Sequence, residues 1–153
     1  MSYKLALNTE EIANYIENSK LLALDIETSP LPQYRNDGKS VLDAHKSTIT
    51  GMSFSVSEGS GIYVPFHYKG SVNADFVNTW DWIQSNILMN EKLIVLIHNA
   101  AFKTMFFYVL GCVPQCKIYD TLSAAQLTLK TYTQFRKLND SGLKKLERVH
   151  IKG

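Results

Sequence analysis

Five consecutive apolar residues, Leu93 to Ile97, restrict the possible folds more than any other feature of the chain. A strand pairs its side chains to alternating faces, so a run with no polar alternate is expected for a central strand covered on both sides. Helices flank it. Before it, Asn73 can cap a helix in which Phe76, Val77, Trp80, Ile83 and Ile87 share one apolar face. After it, Ala100 to Leu110 reads as a second helix, stopped by Gly111. Helix, buried strand, helix is the grammar of a parallel sheet, which predicts an α/β fold.

The first half of the chain reads differently. Asn8 can cap an opening helix, with Glu11 three residues on and Ile12, Tyr15 and Ile16 at helical spacing, ending near Asn18. Leu21 to Ile26 is a short strand, closed by the turn formers Ser29-Pro30 and Pro32, with an exposed loop over 31–46. Thr48 to Val56 alternates as a second strand, and after Glu58 to Gly61 a third follows over Ile62 to Pro65. Short connections predict an antiparallel meander of these three. Further on come a short strand over Lys117 to Tyr119, a helix over Thr121 to Lys130 and another over Gly142 to His150. The five strands form one sheet in a single domain over 1–153, with no repeat and no linker.

Composition narrows function only by exclusion. The longest apolar stretches fall well short of the roughly 20 residues a membrane span requires, and no signal segment opens the chain, so the expected location is the cytoplasm with no membrane partner. Cys112 and Cys116 are too few for a disulfide scaffold and lack the partners of a zinc site, which predicts idle, buried thiols. A net charge of +2 does not by itself announce nucleic acid. Its distribution is uneven: Lys130, Arg136, Lys137, Lys144, Lys145, Arg148 and Lys152 face only Asp140 and Glu147 at the C-terminal end.

Three segments carry chemistry. Leu21 to Thr28 ends in Asp25-Ile26-Glu27-Thr28, and alternation puts both carboxylates on one face of the strand. Ile97-His98-Asn99-Ala100-Ala101-Phe102-Lys103 joins the apolar strand to its helix. Tyr119-Asp120-Thr121-Leu122 opens the next helix, followed by Ser141-Gly142-Leu143-Lys144-Lys145-Leu146. In this order the segments resemble the 3′-to-5′ exonuclease domains of family A, DNA polymerase I-type polymerases, including those of phages. These are DnaQ-like proofreading domains of RNase H-like fold. Their motifs read Asp-x-Glu-Thr, His-Asn-x-x-Phe/Tyr-Asp, Asp-Thr-Met-x-Ala-x-x-Leu and Gly-Leu-Lys-x-Leu. The resemblance implies an RNase H-like mixed five-stranded sheet and a site acting on the 3′ end of single-stranded DNA. Asp25 and Glu27 would be catalytic and metal-binding, with Mg²⁺ or Mn²⁺ as cofactor. Thr28 would lie beside the terminal nucleotide, and Asn99 and Phe102 would line the pocket.

Two departures bear on activity. Lys103 stands where the family carries its third metal-binding Asp. An ammonium ~5 Å from a divalent ion opposes it by several kcal/mol at an effective dielectric near 20. The last family motif, a Tyr or His followed by Asp on a final helix, has no counterpart, and Tyr132, His150 and Asp140 are not assigned its role. Impaired catalysis is therefore expected, with no metal held tightly. The alternative is a catalytically dead module, derived from a phage polymerase, that engages a protein partner and binds single-stranded DNA only weakly.

Overall fold

The computed structural model describes residues 2–128, and the expected helix over Gly142 to His150 and the basic C-terminal excess lie outside them. Its elements are β1 (Ser2–Leu5), α1 (Thr9–Ile16), β2 (Leu21–Pro30), β3 (Ser47–Ser55), β4 (Ser60–Pro65), α2 (Phe76–Ile83), β5 (Ile94–Ile97), α3 (Ala100–Val109), β6 (Lys117–Asp120) and α4 (Thr121–Thr128). A π-helical turn, Gln84–Leu88, continues α2, and two short 3-10 turns occupy the loop between β2 and β3.

One sheet of order β1-β4-β3-β2-β5-β6 organises the fold. The meander is as expected, with β2 antiparallel to β3 and β3 antiparallel to β4. β5 joins β2 in parallel and β6 joins β5 in parallel, through the helical crossovers read from the sequence. The sixth strand, β1, pairs in parallel with β4 at the edge. Every strand but β3 therefore ends on the same side of the sheet, and the β2, β5 and β6 motif residues all lie at that side.

Local chemistry sets the element ends. The Asn8 side chain accepts from Glu11 N–H at 2.9 Å, and Glu11 reaches back to Leu7 N–H at 2.6 Å. α2 starts at Asp75, which accepts from Asn78 N–H at 2.8 Å; the expected cap, Asn73, is engaged elsewhere. Its amide group accepts from Tyr68 N–H at 2.9 Å and donates to Tyr68 C=O at 3.0 Å.

The core lies on one face of the sheet. Leu22, Leu24 and Ile26 of β2, Met52 and Phe54 of β3, Ile62 and Val64 of β4, and Val95 and Ile97 of β5 are all buried there against Ile12, Trp80, Ile83, Ile87 and Phe107. Each such side chain contributes about 1.5–3 kcal/mol relative to exposure. Cys112 and Cys116 are free and buried as expected, and burial pushes both thiols up. The opposite face departs from expectation. Leu21, Ile94 and Tyr119 on that face are exposed, so β5 is covered on one side only among the described residues.

Candidate functional site

At the strand ends, Asp25 and Glu27 project from the open face of β2, as period-2 alternation requires. A bulge follows at Glu27/Thr28 and shifts the register of the last residues of the strand. Thr28 donates its hydroxyl to Val41 C=O at 3.2 Å, which ties the strand end to the loop.

Lys103 reaches Asp25 from the first turn of α3. Its Nζ lies 2.9 Å from Asp25 Oδ1 and also donates to His98 C=O. The residue is 7% exposed, so an ammonium is held inside the protein by two oxygen acceptors. Asp25 Oδ1 also accepts from Ile26 N–H at 2.9 Å. Lys103 pairs with Asp25 and does not swing to solvent.

Asp120 joins three elements. Its Oδ1 accepts from Asn99 N–H at 3.0 Å and Leu122 N–H at 2.9 Å, and its Oδ2 from Ala100 N–H at 3.0 Å, so one carboxylate caps both α3 and α4. Burial pushes the Asp120 carboxyl up, but the N–H groups of Leu122, Ala100, Asn99 and Ser123 together outweigh it and hold the group below its usual range. Asn99 takes a left-handed backbone, φ 59° and ψ 62°, which aims its N–H at Asp120. Such a conformation is uncommon outside glycine, and Asn tolerates it best. His98 Nδ1 lies 3.1 Å from Thr121 Oγ1. Burial, and then the Lys103 charge, lower the His98 pKa against the smaller opposing pull of Asp120 and Asp25.

The structure thus brings Asp25, Lys103, His98 and Thr121 together, with Glu27 at the rim. Asp25, His98, Thr121 and Tyr63 line a groove of about 670 Å³ across the open sheet face, floored by Ala23 and Leu96. Phe102 lies elsewhere: its ring packs edge-on against Phe106 with centroids 5.2 Å apart, and it is partly buried against the core. Sequence reasoning did not single out His98, Asp120 or Tyr63 as site residues. The first two lie inside the matched segments, and Tyr63 shares strand parity with the residues facing Asp25.

The described residues by themselves do not make a two-metal centre: Lys103 Nζ pairs with Asp25, Asp120 already accepts three backbone N–H groups, and no cluster of three metal-ligating side chains occurs among them.

The fold is that of RNase H-like exonucleases. Brucella melitensis NrnC with bound Mg²⁺ superposes with a TM-score of 0.61 at 18% identity, covering 100% of this chain and 63% of that one. Trypanosoma brucei RNase D gives 0.58 at 13% identity, over 79% of this chain and 38% of that one. The Aedes aegypti Nibbler EXO domain gives 0.57 at 10% identity, over 82% and 55%. This chain spans less than two thirds of the length of each of these structures. No family model matches it, and no curated protein matches it in sequence. No described helix is long and apolar enough to cross a membrane.

Proposed function

We propose that this chain is an exonuclease-like domain, related to the proofreading domains of family A polymerases, that holds a single-stranded DNA 3′ end weakly and hydrolyses it poorly or not at all. The observation that carries this reading is the 2.9 Å pair between Lys103 and Asp25. It places a fixed monovalent cation against the carboxylate on which divalent-ion chemistry would depend. An ammonium can neutralise a carboxylate and attract a phosphate, but it offers no open coordination position to polarise a water. The motif order in the sequence and the likeness to nuclease structures, among them NrnC bound to pGG, support a nucleic-acid end as ligand.

Calorimetric titration with Mn²⁺ tests the reading. The wild-type protein should bind Mn²⁺ weakly, and Lys103→Asp, which removes a positive and adds a negative charge beside Asp25, should bind it clearly more tightly. Neither should release nucleotides efficiently from a 3′-labelled strand. Efficient digestion by the wild type that is lost in Glu27→Ala would overturn the impaired reading. A wild-type protein that binds no oligonucleotide at low salt would leave the protein-binding alternative in its place.

A further inference from the structure

The rim beside Glu27 carries an arrangement that the Asp25 site does not use. Gly51 of β3 is directly opposite Glu27, and a Cβ at Gly51 would lie 1.9 Å from Tyr63 Oη. The glycine is therefore what lets the Tyr63 phenol lie across β3. Opposed residues on one sheet face have Cβ atoms about 4.5–5.5 Å apart, so the phenol oxygen ends beside the stem of Glu27.

From there Tyr63 donates to Tyr68 Oη at 2.8 Å, with ring centroids 6.2 Å apart at 67°. Tyr68 is also fixed from behind, by the two-bond clasp of the Asn73 amide on its backbone. Yet its side chain is not put away: the residue is 43% exposed. A tyrosine held at backbone and hydroxyl, in edge-on contact with one neighbour and still 43% exposed, presents aromatic surface to solvent. An edge-on contact takes up at most one face of one ring, so an aromatic face remains available. Lys69 follows, also exposed, at the turn where Gly70 takes φ +73°.

We propose that Tyr68, braced by Tyr63, is a stacking platform for an unpaired nucleobase at the rim of the groove, with Lys69 meeting the adjoining phosphate. The proposal rests on the nucleic-acid reading above and deepens it. Every base has a π-face, so such a platform binds single strands without reading sequence, and the lysine adds a salt-dependent contact. Burial first, then the bond to Tyr68 and the nearby charges of Tyr68 and Glu27, push the Tyr63 hydroxyl up, which keeps it a neutral donor in the brace.

The test is fluorescence anisotropy of a 5′-labelled oligo-dT at low salt, with the full chain. Tyr68→Ala should weaken binding about tenfold, within the roughly 5- to 150-fold that loss of one stacked base implies. Tyr68→Trp should bind as well as the wild type, Tyr68→Phe within about twofold, and Lys69→Ala should lower the salt dependence by about one ion. An oligonucleotide with one abasic position at the bound end should lose affinity for the wild type and lose none further for Tyr68→Ala, because the two changes remove the same contact. Wild-type binding with Tyr68→Ala unaltered would sink the platform and leave the nucleic-acid reading standing. Tyr68→Phe as weak as Tyr68→Ala would assign the effect to the hydroxyl brace and overturn stacking. No wild-type binding would remove both.

Discussion

Lys103 Nζ is met inside the protein by two acceptors, the Asp25 carboxylate and the His98 carbonyl. Ion pairs of this kind add little net stability, since desolvating the ammonium offsets most of the attraction. Asp25 has the easier position: its side chain is 53% exposed and can be hydrated without a partner. Lys103→Met, which keeps most of the stem, should therefore change stability by only about 1 kcal/mol in either direction. The sharper signal is at His98, whose pKa lies below its ordinary 6.5 because of burial and then the Lys103 charge. In Lys103→Met an NMR titration of the imidazole should show that pKa moving up. No movement would mean that burial alone sets it. The lysine was legible in the sequence from its place after Phe102; its choice of Asp25 over Glu27 was not. Both carboxylates share a face, and which one receives Nζ depends on how the first turn of α3 leans against β2.

At the scale of elements, the junction of β5, β6, α3 and α4 hangs on Asp120. Its carboxylate accepts from the first turns of two helices, so Asp120→Ala should cost about 2 kcal/mol and Asp120→Asn less, because the amide keeps one acceptor. The folded-state pKa lies below 3.8, so the stabilisation is present above that pH and fades as pH falls through it toward the folded value. The stability gap between wild type and Asp120→Asn should accordingly narrow below about pH 3.8, read by urea denaturation across pH. A gap that stays constant in acid would mean the charge contributes nothing to the cap. Sequence reading recovered the helices here but missed two details nearby. β1 is exposed along its whole length, so its side chains carry no buried alternation to reveal it. Asn73 and Asp75 are equally good caps by type, and α2 begins at Asp75 because Asn73 is clasped to Tyr68.

At the scale of the whole molecule, the described residues form a sheet with two unlike faces. Leu93 to Ile97 reads as a strand covered twice, and the described residues cover it once: Val95 and Ile97 face the core, while Ile94 is exposed on the other side. An apolar run reports that a strand avoids water but not what will shield each face, because that depends on elements distant in sequence. Neighbouring positions of β2 turn this into a measurement. Leu22 is fully buried, so Leu22→Ala should cost about 2–5 kcal/mol through lost transfer energy and the cavity left behind. Leu21 is 48% exposed on the open face, so Leu21→Ser should cost less than about 1 kcal/mol. Chemical denaturation of both variants decides it. If Leu21→Ser proves as costly as Leu22→Ala, the face is covered in solution, and repeating the titration at several protein concentrations separates the sources. A midpoint that rises with concentration assigns the cover to a second copy of the chain, since association stabilises by mass action, and a constant midpoint assigns it to the same chain.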